Sequence, residues 1–206
     1  MTDEQAIRFA AGAIELEGLV AIPAHATAGA VVCHPHPLYG GDMHNNVVAA
    51  LTEAFGRAGL ATLRFNFRGV GSSDGQHDDG RGEVEDVTAA VTELLSRLDL
   101  THVAVAGYSF GAWVGLKAGA QDARVHKLIG VAPPVASRDF SFLAATAKPT
   151  LIIAGDRDDH APLSRLEPLM QSLPEPKALT MVPGADHFFR GLEPAICRAA
   201  VAFLTA

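Results

Sequence analysis

Three groups of residues in this chain have the types and order needed for nucleophilic catalysis. Ser109 is the centre of Gly107-Tyr108-Ser109-Phe110-Gly111, a Gly-x-Ser-x-Gly pentapeptide. A carboxylate cluster, Asp156-Arg157-Asp158-Asp159, follows Gly155, and His187 follows Pro183-Gly184-Ala185-Asp186. A serine hydroxyl attacks a carbonyl poorly unless a base takes its proton during attack. The base in turn needs a carboxylate to fix its tautomer and stabilise its cation. On the residues alone the acid is open among the carboxylates after Gly155. Asp186 is set aside as a loop cap, because its side chain diverges from that of its neighbour His187. Of the nine histidines, His25, His77, His102 and His126 fall in loops or at strand beginnings, away from the expected site edge, and His160 lines the rim.

The surroundings of Ser109 fit this role. Val103 to Ala106 is a buried, β-branched strand pattern, and a helical stretch follows the pentapeptide, within an elbow unit spanning about 101–122. A strand, a sharp turn and a helix present the serine at the strand's carboxyl end in a strained backbone conformation. Gly107 and Gly111 then allow strand and helix to approach without a Cβ, and Gly115 and Gly119 let the helix lie close to the sheet. The Phe110 N–H, at the helix N-terminus, is one donor for an oxyanion. The second comes from His34-Pro35-His36-Pro37-Leu38-Tyr39-Gly40-Gly41, after the strand Ala30 to Cys33. Proline lacks an N–H, so the candidates are His36 and Leu38. Tyr39 and Phe188 border the substrate, with Leu38 and Phe110. His34, His36 and His44 lack a carboxylate at ligand spacing, so no metal is expected, and no cofactor.

The rest of the chain supplies the scaffold. Alternating strand and helix patterns run along its whole length, with a hairpin around Ala11-Gly12 at one edge. They predict an α/β fold with a mostly parallel sheet and helices on both faces. All 206 residues read as one domain, 49% hydrophobic and 19% charged. Helices are expected from His44 to Gly59, over Val84 to Leu98, after Pro162 with Leu163, Leu166, Leu169 and Met170 inward, and over 192–204. Arg68 to Gly75 reads as a structural turn pinned by Arg68. A net charge of −7 without a basic patch excludes nucleic acid as a partner, and no apolar run is long enough to span a membrane. Cys33 and Cys197 have neither metal nor redox spacing, and the start of the chain is acidic and polar. A reduced, cytoplasmic protein is expected.

Gly107 to Gly111, Gly155 to Asp158 and Gly184 to His187, with His34 to Gly41 and Arg64 to Gly71, resemble the α/β-hydrolase superfamily. The similarity covers essentially the whole chain. It points to a small, lidless bacterial subgroup related to dienelactone hydrolase-like and esterase-like proteins. The resemblance implies Ser109 as nucleophile, His187 as base and Asp158 as acid, three residues after the strand-ending glycine. Dienelactone hydrolases carry cysteine at the elbow, so Ser109 favours a serine carboxylesterase acting on small or medium acyl esters. A peptidase or amidase, and a non-catalytic binding module, are the alternatives. Only sixteen residues, Pro133 to Lys148, separate the strand after the elbow helix from the strand bearing the acid. No cap domain fits there, and Phe140, Phe142 and Leu143 are expected to wall an open cleft.

Overall fold

The computed structural model describes residues 3–98 and 102–206. Residue 101, where the elbow unit was expected to begin, lies outside them, as do Met1 and Thr2. Among the described residues the strands are β1 (Gln5–Ala11), β2 (Ile14–Ala21), β3 (Ala28–Cys33), β4 (Ala61–Phe65), β5 (His102–Tyr108), β6 (Val125–Val131), β7 (Thr150–Gly155) and β8 (Lys177–Val182). The helices are α1 (Asn46–Arg57), α2 (Arg81–Ser96), α3 (Phe110–Gln121), α4 (Leu163–Ser172) and α5 (Glu193–Thr205). One eight-stranded sheet has the order β1-β2-β4-β3-β5-β6-β7-β8. The β1–β2 hairpin and the β2–β4 pair are antiparallel, and every pair from β4 through β8 is parallel.

The central strand shows how the two cores arise. Val103 and Val105 of β5 join the core under α2, α3 and α4, while Ala104, Ala106 and Tyr108 join the core under α1 and α5. Successive side chains leave a strand on opposite faces, so a strand covered on both sides must be apolar throughout. Helix α3 lies close to the sheet because its facing residues are small. A Cβ on Gly115 would sit 3.2 Å from Val105 Cγ1, and one on Gly119 only 2.6 Å from Leu128 Cδ2.

Three expectations need correction. Phe140 and Leu143 do not wall a cleft: both are buried in the core beneath α2–α4, and Phe142 stacks on Phe140 with ring centroids 5.8 Å apart. The 133–148 segment makes a single 3-10 turn, Ser141–Ala145, packed against α3 and α4. Burying each large apolar side chain contributes roughly 1.5–3 kcal/mol, which favours tucking them in. Leu163 is 43% exposed because it opens α4 directly after the N-cap Pro162, whereas Leu166 and Met170 do face inward. Helix α1 begins at Asn46 rather than His44, since Asn45 caps it by accepting the Val47 N–H at 3.0 Å.

The turn after β4 is pinned as expected. Arg68 donates to the fully buried Asp86 of α2 through its main-chain N–H, Nε and Nη2, at 3.0, 3.0 and 2.8 Å. Removing one member of such a buried pair strands the other charge, at a cost of about 3–5 kcal/mol.

Candidate active site

Ser109 stands between β5 and α3 with φ 55° and ψ −118°, a strained conformation that persists only where its surroundings enforce it. Its N–H donates to Val131 O at 2.9 Å, and its carbonyl accepts the N–H groups of Ala112 and Trp113 at 2.9 and 3.2 Å. A Cβ on Gly107 would fall 2.1 Å from Gly111 O, and one on Gly111 would fall 2.4 Å from Cys33 O. Both positions therefore exclude any side chain, and the strand end, the helix start and the end of β3 meet backbone to backbone.

The loops after β7 and β8 bring two side chains to this serine. His187 Nε2 lies 2.9 Å from Ser109 Oγ, and His187 Nδ1 lies 2.8 Å from Asp158 Oδ2. The other oxygen of Asp158 accepts the His160 and Ala161 N–H groups at 2.8 and 3.3 Å. These bonds fix the carboxylate and compensate its burial. An ionised Asp158 requires the proton on Nδ1, which leaves Nε2 to accept from the serine hydroxyl. Asp156 turns away and accepts the Gly184 N–H at 2.7 Å, tying the acid loop to the histidine loop, while Asp159 is exposed. Asp186 caps the Phe188 N–H at 2.9 Å.

Several residues that position His187 were not singled out from the sequence. The buried Tyr108 donates its hydroxyl to the His187 carbonyl at 2.7 Å. Asn46 Nδ2 donates to Phe188 O at 3.3 Å and to Glu193 Oε1 at 2.6 Å. Gly155 lets the two loops touch, since a Cβ there would sit 2.2 Å from Ala185 O. The available signal was Tyr108 itself: a buried tyrosine needs a partner for its hydroxyl.

In the loop after β3 the N–H groups of His36 and Leu38, the two candidates for the second donor, differ in what they bond. Leu38 N–H is already engaged with His36 Nδ1 at 3.2 Å. Tyr39 and Gly41 donate to His36 O, and Gly40 donates to Pro37 O. From Pro35 to Gly41, among the described residues, the His36 N–H alone has no acceptor. Phe110 opens α3, so its N–H has no acceptor within the helix. His34 is structural: its Nδ1–H donates to Pro35 O at 2.6 Å, and its Nε2 accepts the Phe67 N–H at 3.0 Å. Burial holds its pKa down at about 4, so the ring is neutral. Cys33 is buried behind this loop, and burial pushes its thiol pKa up, which removes it as a nucleophile.

Leu38, Tyr39 and Phe188, the residues expected to present a substrate face, are 70%, 86% and 55% exposed, and the Phe188 ring lies 5.8 Å from that of His187. Phe110 contributes no exposed ring to this face. Its side chain is buried among Phe67, Trp113, His36 and His77. The His160 ring lies 4.5 Å from that of His187, at the rim as expected. His77 departs from expectation: rather than lying away from the site, its ring packs 4.9 Å from His36 and 5.5 Å from Phe110. Among the described residues no cluster of His, Cys, Asp or Glu is arranged to hold a metal ion, and no helix is long and apolar enough to cross a membrane.

A mostly parallel eight-stranded sheet without a cap, with a strained serine after its central strand, is the architecture of the lidless α/β serine hydrolases. The family model described as PET hydrolase-like matches residues 79–205, and the chain belongs to that family within the α/β serine hydrolase superfamily. It is 35% identical to an α/β serine hydrolase homologue from Coxiella burnetii, with a TM-score of 0.89 and 98% of each chain covered. A lidless α/β serine hydrolase from Xanthomonas campestris is 32% identical at a TM-score of 0.89, covering 100% of this chain and 95% of its own. An uncharacterised Rickettsia prowazekii protein is 36% identical over 170 residues, which is 78% of this chain and 71% of that one.

Proposed function

We propose that the protein is a serine carboxylesterase cleaving small or medium acyl esters through an acyl-enzyme intermediate. What carries this proposal is the continuous relay from Asp158 through His187 to Ser109, with contacts of 2.8 and 2.9 Å. Ser109 Oγ attacks the ester carbonyl as its proton passes to His187 Nε2, and the Asp158 carboxylate stabilises the resulting imidazolium. The carbonyl oxygen becomes an oxyanion, stabilised by the N–H groups of Phe110 and His36. Collapse expels the alcohol, which takes the proton from His187. Water then repeats the sequence on the acyl-serine and releases the acid. Leu38, Tyr39 and Phe188 offer apolar surface to the acyl and alcohol groups.

A short p-nitrophenyl ester tests this directly. The wild-type protein should release p-nitrophenol and lose that activity when a phosphonate labels one serine. Ser109→Ala should retain the wild-type melting temperature, resist labelling and lower kcat by about 10³-fold or more. Activity at the wild-type level in Ser109→Ala would refute the assignment.

A further inference from the structure

The ring of His77 touches both residues whose main-chain N–H groups face the oxyanion in the proposed reaction. Its centroid lies 4.9 Å from that of His36 and 5.5 Å from that of Phe110, and the His36 and Phe110 rings are themselves 4.8 Å apart. The three rings form a closed triangle. Tyr39 covers another side of His36 at 4.7 Å, but it is nearly free in solvent and gives little restraint. Phe110 is fixed by its place in α3. Among the ring contacts that His36 makes within the described residues, His77 is the one from outside its own loop and outside α3.

His77 is itself held firmly. Glu83, fully buried at the start of α2, accepts the Asp78 and Gly80 N–H groups at 2.9 and 2.8 Å, so the 78–80 turn wraps around one carboxylate. Glu83 Oε1 also stands 2.7 Å from His77 Nδ1, outside the alignment of a hydrogen bond. On the far side, Gly80 lies so close to Trp113 of α3 that a Cβ there would come within 2.3 Å of the indole. Arg138 then closes over the same indole, 4.5 Å from its centroid, and bonds Asp79 through Nη2 at 3.0 Å. The loop before α2 is thus clamped between a buried carboxylate and the elbow helix, and the His77 ring projects from it against His36.

We infer that His77 is a positioning residue for the oxyanion site: its ring sets the orientation of the His36 peptide, and through it the direction of the second N–H donor. This rests on the esterase mechanism proposed above. An oxyanion donor acts chiefly in the transition state, so a misdirected N–H lowers kcat and leaves ground-state binding almost unchanged. Small displacements are enough, because catalytic geometry is sensitive at the scale of about 1 Å.

The test uses the full chain, p-nitrophenyl acetate as substrate, and titration of reactive serine with a phosphonate, so that kcat is expressed per competent site. His77→Ala and His77→Gln remove the ring. Each should lower kcat about tenfold with KM changed by less than about twofold, and each should slow the phosphonate reaction in proportion. His77→Phe restores a ring without the nitrogens and should recover kcat to within about threefold of wild type. A merely structural role would lower the titrated fraction or the melting temperature and leave kcat per site unchanged. Unchanged kcat per site in both ring-less variants would overturn the inference. So would an effect on KM alone, or a phenylalanine variant no better than alanine. If wild-type Ser109 takes up no phosphonate, it is the esterase proposal that fails.

Discussion

Tyr108, the residue before Ser109, donates a 2.7 Å hydrogen bond from its hydroxyl to the main-chain carbonyl of His187. The end of β5 therefore holds both the serine and the backbone of the histidine that faces it, although the two are 78 residues apart. Burial, with Asp158 and Asp186 nearby, pushes the Tyr108 phenol pKa up, so it remains a donor at every working pH. Tyr108→Phe deletes one hydrogen bond and nothing of the ring. Stability should fall by about 1 kcal/mol, and kcat by about tenfold through looser placement of His187. Thermal unfolding and steady-state kinetics on the same samples separate the two effects. A lower melting temperature with kcat unchanged would make the bond purely structural.

The three carboxylates after Gly155 differ in what they accept, and their substitutions should differ accordingly. Asp158→Asn keeps the shape but offers an amide to His187 Nδ1, which favours the wrong tautomer. Turnover should fall by about 10³-fold or more. Asp156→Asn disturbs only the bond to Gly184 N–H, and Asp159 is exposed. Both variants should stay within about tenfold of wild type. Equal losses for all three, measured as kcat/KM with a p-nitrophenyl ester, would mean that Asp158 has no separate role.

His34 makes stability depend on pH in a defined window. Its pKa in the fold is about 4, below the ordinary histidine value of 6.5. Between those values the unfolded chain binds more protons than the native one, so stability falls as pH drops from about 6.5 to about 4. Above the window the contribution is fully present, and below it the contribution is gone. At about 1.4 kcal/mol per pH unit, the window is worth roughly 3–4 kcal/mol. Urea unfolding at pH 7, 5.5 and 4.5 should show wild type losing more stability than His34→Gln, whose side chain does not titrate. Parallel losses in both proteins would show that His34 is not the group responsible.

Residues whose neighbours are close in sequence, or whose strand is apolar on both faces, were legible without coordinates. The β5–Ser109–α3 unit is the clearest case, because Gly107 and Gly111 report a backbone contact directly. The choice of Asp158 over Asp156 and Asp159 came through family resemblance, since three carboxylates in four positions differ only in where a turn aims them. His36 and Leu38 could not be separated as donors, because whether the His36 ring engages the Leu38 N–H is a local competition between side chain and backbone that composition does not reveal. His77 was misplaced because its contact with His36 exists only once the loop before α2 folds over α3. Phe140 and Leu143 were misplaced because a single 3-10 turn is too short to carry a readable period.

The burial of those two residues bears on how the site meets insoluble substrates. Interfacial activation requires an apolar element that covers the site in water and swings aside at an oil surface. The 133–148 segment is where an insertion of that kind would stand, and its one turn is committed to the core by Phe140 and Leu143. Opening it would expose both side chains, at roughly 1.5–3 kcal/mol each. Meanwhile Leu38, Tyr39 and Phe188, expected to border the substrate, are already exposed to solvent. The rate should therefore follow a simple saturation curve in ester concentration and pass through the solubility limit without a step. The measurement is initial rate against the concentration of a sparingly soluble ester, such as p-nitrophenyl butyrate, spanning clear solution and emulsion. A sharp rise at the onset of emulsion would show that some element does gate the serine, and the first place to look would be the exposed 38–39 turn.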